Sequence, residues 1–321
     1  MAFPTDTRRG AGIAAAALAL RRAGSGWKLW VIWLLPVTVH AQEMEPRAYS
    51  PAPVGVNFLV ASYTRSAGDV LFDPSSQATD VTARVQASVV GYSRTLGLLG
   101  RASSITLALP YLVGNFSGNV GEQHATADRS GFGDARLRVA VNLIGGPALS
   151  PRAFAAREPA AAIGVSLSVV APTGEYDPAR LINIGANRWS FKPEVGITRE
   201  FGPWFVEGAA GVWLFTDNTN YFGGQTRHQD PLATFQFHAG YTFRPGLWLA
   251  ANATYYAGGR SSVSGAQKED LQGNTRFGAT LSVPMDRHWS AKLAWSNGFV
   301  TRAGGDFTTW SIALQYRWFD R

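Results

Sequence analysis

The chain has 321 residues, 46% of them hydrophobic, no cysteine and a formal charge of +7. The lack of cysteine excludes disulfides and thiolate metal sites and suits an oxidising compartment. Beyond residue 41 no stretch stays apolar for the roughly 20 residues that a membrane helix needs, so apolar side chains are interleaved with polar ones.

The charge sits mostly at the start. Arg8, Arg9, Arg21, Arg22 and Lys28 against Asp6 leave only +3 of the +7 for all later residues, too little for a nucleic-acid footprint. Residues 1–41 read as a signal peptide: arginines, the apolar run "LWVIWLLPVTV" (29–39), then "VHA" (39–41) with cleavage after Ala41. The apolar run is about half the length of a membrane anchor. Because the basic region is long, translation starts either at Met1 or downstream of it. Residues 42–53 then form a short periplasmic segment, too short for a plug domain.

From Val54 to Phe319 the dominant period is two, which only a strand accommodates. Twelve segments carry it, near 54–66, 80–95, 101–115, 130–145, 160–172, 189–201, 204–217, 231–244, 247–260, 271–284, 288–301 and 307–319. In the second, Val81, Ala83, Val85, Ala87 and Val89 oppose Thr82, Arg84, Gln86 and Ser88. In the fourth, Leu137, Val139, Val141 and Leu143 oppose Arg136, Arg138, Ala140 and Asn142. The last sets Trp310, Ile312, Leu314, Tyr316 and Trp318 against Thr309, Ser311, Ala313, Gln315 and Arg317.

Connectors alternate in length. "FGPW", "FRPGLW" and "PMDRHW" are tight turns, whereas "GDVLFDPSSQAT", "SGNVGEQHATADRS", "TGEYDPARLINIGANR", "TDNTNYFGGQTRHQ" and "RSSVSGAQKED" are long and polar. Trp204, Trp248, Trp289, Tyr316, Trp318 and Phe319 fall beside the tight turns, where a membrane interface places aromatic rings. A soluble sandwich would bury the same rings. The leader and the loop asymmetry favour a closed antiparallel transmembrane β-barrel of about 12 strands over residues 54–319, with short periplasmic turns and long extracellular loops, in a Gram-negative outer membrane. Its expected partners are outer-membrane lipid and lipopolysaccharide, the barrel assembly machinery and a small-molecule solute. The connector 145–159 is long on the short-turn side, as a periplasmic flap would be.

"RAYSPAPVGVNF" (47–58), "LALPY" (107–111), "RSGFGDARLRVAVNLIGGPAL" (129–149), "APTGEYDPARLINIGANRWSFKPEVG" (171–196), "QDPLATFQFHAGYTFRPGLW" (229–248) and "YYAGGRSSVSG" (255–265) run in order through nearly the whole chain after the leader. In this order they resemble the Putative MetA-pathway of phenol degradation family. The resemblance implies an outer-membrane barrel with a transport role and a link to aromatic compounds. The chain departs from the usual terminal aromatic of such barrels, because Phe319 is followed by Asp320 and Arg321.

If the polar faces point inward, the lumen holds Arg84, Arg136, Arg138, Lys192, Arg276, Lys292 and Arg317 against Glu194 and Glu207, with His238 among them. This excess of cations would favour anions such as aromatic carboxylates, while charges that brace a filled barrel are the structural alternative. Gly185, Asn187 and Arg188 descend from the third outer loop, with Trp189 at the membrane edge. Arg188 is either a charged filter or the partner of an acid on the wall. A hydrolase reading is weak: "WSNGF" (295–299) has Ala294 where the outer-membrane phospholipase motif needs histidine, and His124, His228 and His238 have no linked serine. "TDNTN" (216–220) lacks the spaced acid of a calcium loop and "GFGD" (131–134) the third glycine of a phosphate loop. No metal, cofactor or catalytic residue is therefore expected.

Overall fold

The computed structural model describes residues 44–71 and 78–320. The signal peptide expected over 1–41 lies outside the described residues. The strands, in chain order, are β1 (Val56–Leu71), β2 (Ala78–Leu98), β3 (Arg101–Val120), β4 (Gln123–Phe132), β5 (Arg136–Ile144), β6 (Ala162–Val170), β7 (Ser190–Phe201), β8 (Trp204–Phe215), β9 (Asn218–Tyr221), β10 (Gln225–Gln229), β11 (Leu232–Arg244), β12 (Leu247–Gly258), β13 (Ser261–Val263), β14 (Ala266–Gln267), β15 (Gln272–Pro284), β16 (Trp289–Val300) and β17 (Gly304–Phe319). All neighbours in the wall pair antiparallel, and β1 pairs with β17 from Val56↔Phe319 to Leu71↔Gly304, which closes the barrel. Counting β4 and β5 as one interrupted strand gives the twelve expected staves.

Alternation decides the two faces of the wall. Leu107, Val139, Leu167, Ile197, Phe237, Leu249, Leu293 and Leu314 are exposed, forming the apolar belt that faces hydrocarbon. Trp204, Trp289 and Phe319 are exposed at the short-turn rim, and Trp289 packs on Tyr316 with centroids 5.0 Å apart. Trp248 departs from the expected girdle: it is buried and turns inward beside Phe205 and Ala250, because its position in β12 shares the inward parity of Ala250, Asn252 and Thr254.

The second strand departs further. Arg84, Gln86 and Ser88 were expected inside, yet Val81, Ala83 and Val85 are the buried side and Arg84 is exposed. The reason is a cluster of Val70, Ala78, Val81, Ala83, Val85, Leu112, Phe116 and Phe307 with Ile182 from the third outer loop. The outer end of the barrel is thus packed like a protein core on one side, and the polar alternate positions face water above the belt. Hydrophobicity is inverted there relative to the belt below.

Three of the long loops expected on the outer side are instead structured hairpins. "SGNVGEQHATADRS" continues β3 and β4 to a tip at Gly121 and Glu122, and β9, β10, β13 and β14 form a separate four-stranded sheet from the loops after β8 and β12. On the opposite rim, the connector after β5 holds a short helix α1 (Pro151–Ala155) capped by Ser150. It is tied to the wall by Val54 N–H donating to Leu149 O at 2.9 Å and Ala148 N–H donating to Gly100 O at 3.0 Å. Asp320 replaces a terminal aromatic with a clasp: its side chain accepts from Asn57 at 2.8 Å and Arg94 at 2.7 Å, across the closing seam.

Candidate functional site

The lumen is crossed by the chain's own N-terminal segment. Residues 44–50 were expected to lie outside the wall, but the Ala48 and Tyr49 backbone N–H groups donate to Glu207 at 3.1 and 3.2 Å. The Tyr49 hydroxyl donates to Glu194 at 2.7 Å and lies 3.0 Å from Ser166 Oγ. Arg47 donates to Thr242 at 2.7 Å and sits over the Phe205 ring at 4.3 Å. Buried carboxylates need such donors. The segment fits because small wall residues receive it: a side chain built at Gly196 would collide with the Tyr49 ring at 2.2 Å.

This segment contributes to the lining of two cavities. One is lined by Glu45, Tyr49, Arg136, Arg138, Lys192, Glu194, Glu207 and His238. The other is lined by Met44, Asn252, Thr280, Trp295, Ser296 and Thr309 among others, with hydroxyl, amide and apolar groups but no charged side chain. Of the two cavities, only the one walled by β5 to β8 and β11 is lined by charged side chains.

Of the inward residues expected from sequence, Arg136, Arg138, Lys192, Glu194, Glu207 and His238 line the same cavity. Lys192 donates to Glu194 at 2.6 Å, and Gln236 adds a donor to the same carboxylate at 3.1 Å. His238 Nδ1 is 2.8 Å from Asn252 Oδ1, and Asn252 donates to Thr280. An amide oxygen only accepts, so Nδ1 carries the proton. Arg276 stands apart, donating to the Phe307 carbonyl at 2.7 Å, and Lys292 approaches the Trp248 ring at 6.0 Å. Arg84 is not part of the lumen.

Arg188 is 2% exposed. It neither stands free in a pore nor pairs with an acid: it donates to Gln229 Oε1 and lies 4.3 Å over the Phe215 ring. Burial and the nearby Arg227 charge hold its guanidinium well below the usual arginine range.

Aromatic rings were missed as lumen groups by the sequence reading, although inward parity on β8 marks them. From the outer sheet downward, Arg227 is 6.0 Å from the Tyr221 ring, Arg188 4.3 Å from Phe215, Arg136 5.5 Å and Lys192 5.6 Å from Trp213, Arg138 5.2 Å from Tyr49, and Arg47 4.3 Å from Phe205. Phe205 and Phe215 are ten residues apart on β8, so cations and rings alternate over roughly 30 Å of strand. Each such contact is worth about 0.5–2 kcal/mol depending on desolvation.

Asp134 was also missed. It sits in the break between β4 and β5, and its carboxylate accepts the Gly174 N–H and the Ala186 N–H, both at 2.8 Å. It thereby pins both arms of the third outer loop. Glu175 packs against Gly131, where any side chain would collide with its carboxyl at 2.2 Å.

A family profile described as Putative MetA-pathway of phenol degradation matches residues 63–318. The chain belongs to this family. The barrel is similar to the COG4313 outer membrane channel from Pseudomonas putida F1, with a TM-score of 0.72 and 20% identity over 86% of this chain and 100% of that one. Lower likenesses are the beta domain of the Bordetella autotransporter BrkA (TM-score 0.47, 13% identity, 83% and 100% covered) and the CymD monoaromatic hydrocarbon channel (0.39, 10%, 84% and 90%). The fold comparison rests on the first. No match is found among curated proteins.

Proposed function

We propose that this family member is an outer-membrane channel that passes small solutes, aromatic compounds or their carboxylates, without catalysing a reaction. The observation that supports the reading is the alternation of cations and aromatic rings from Tyr221 and Arg227 in the outer sheet, along the β8 wall, to Phe205 and Arg47 of the N-terminal segment. Neutral rings find apolar and cation-bearing surfaces there, and carboxylates find positive charge. The family's description, Putative MetA-pathway of phenol degradation, agrees with this class of solute. In this role the belt contacts outer-membrane lipid and lipopolysaccharide, and the barrel assembly machinery inserts the chain.

A hydrolase would need a serine, a histidine and an acid converging. His238 is engaged by Asn252 and Ser296 lies 3.4 Å from Arg276. Liposome swelling with purified, heat-modifiable protein tests the channel reading: benzoate and phenol should permeate, and a folded protein that passes neither refutes it.

A further inference from the structure

We propose that Arg188 and Arg227 form a carboxylate-binding site beneath the outer four-stranded sheet, which takes an aromatic carboxylate with its ring among the neighbouring aromatic walls. The inference rests on the channel reading and names a site and solute class within it.

Arg227 and Gln229 are both buried and alternate in β10 on one face. Arg188 donates to that same Gln229, so the two guanidinium groups lie under one face of the sheet, close enough for the Arg227 charge to act on Arg188. Arg188 Nε and Nη1 and Arg227 Nε are buried without a hydrogen-bond partner. Neither arginine has a carboxylate within ion-pair distance among the described residues. Two buried like charges with three unused donors form an arrangement that costs free energy as it stands and that a bound anion relieves.

The surroundings select which anion. Phe215 lies under Arg188 and Tyr221 beside Arg227, so a carboxylate carried on an aromatic ring can satisfy the forks while its ring stays out of water. A planar guanidinium receives a carboxylate through two parallel N–H donors, which a neutral phenol cannot engage in the same way. Acetate carries the charge without the ring. Arg227 is also held below the usual arginine range by burial, and a nearby anion would reverse that shift.

Binding of benzoate, phenol and acetate to the purified, signal-processed barrel is measured by calorimetry at neutral pH, alongside Arg188→Gln, Arg227→Gln and the charge-retaining Arg188→Lys. Wild type should bind benzoate more tightly than acetate or phenol. Each Gln variant should weaken benzoate by about tenfold or more while leaving phenol unchanged, and Arg188→Lys should recover part of the loss. Heat-modifiability on a gel confirms that each variant is folded, and if a Gln variant does not fold the Lys variant alone decides, since it too must weaken benzoate. Equal benzoate affinity in wild type and folded variants, or no preference for benzoate over phenol in wild type, overturns the site. Loss of solute flux in liposomes with benzoate binding intact would instead count against the channel reading and leave the site standing.

Discussion

The Tyr49 hydroxyl donates to Glu194 Oε1 at 2.7 Å, joining the N-terminal segment to the barrel wall through a carboxylate that Lys192 also holds. Removing that hydroxyl leaves one buried acceptor short, at about 1–3 kcal/mol. Tyr49→Phe should therefore loosen the segment and raise the mean single-channel conductance in a planar bilayer, and deletion of residues 44–50 should raise it further. Unchanged conductance in both would mean that the segment does not constrict the path.

Asp134 holds two loop N–H groups at once. Asp134→Ala should free the third outer loop, at a cost of roughly 1–3 kcal/mol for each orphaned donor that water does not reach, and make residues 171–189 a site of protease cleavage on intact cells. Asp134→Asn retains one acceptor oxygen and should be cleaved more slowly. Equal resistance in wild type and Asp134→Ala would remove Asp134 from the role of clasp.

Two exposed positions of the outer sheet, Thr219 and Gln267, lie at the end opposite the turn at Pro245. Cysteine at either should react with an impermeant maleimide on intact cells, and cysteine at Pro245 only after the outer membrane is opened. The reverse pattern would invert the assignment of the two rims.

Arginine in place of Val139 or Leu314 puts charge on the lipid side, costing about 2–4 kcal/mol near the midplane. Heat-modifiable folding should be lost there and kept for Arg84→Leu, which faces outward above the belt. Val85→Arg should also fail, for a different reason: it would place a charge in the Ile182 cluster. Retained folding in Val85→Arg would show that the cluster is not a packed core.

The period of two established the strands, because alternation in a strand follows from backbone geometry and needs no distant partner, and the leader with the alternation of tight turns and long loops pointed to a twelve-stranded barrel over a sandwich. The parity of Arg136, Arg138, Lys192, Glu194, Glu207, His238, Arg276 and Lys292 was legible for the same reason. What parity cannot tell is what fills the space it points into. Arg84 was misplaced because Ile182, about 100 residues away in sequence, turns the outer lumen into an apolar core, whereas the inward turn of Trp248 follows from its parity in β12 and the Arg47 segment supplies what it packs on. The Arg188 environment, the two donors on Asp134 and the N-terminal crossing all join residues far apart in the chain, so only the tertiary structure, which folds the outer loops and the N-terminal segment onto the closed wall, decided them.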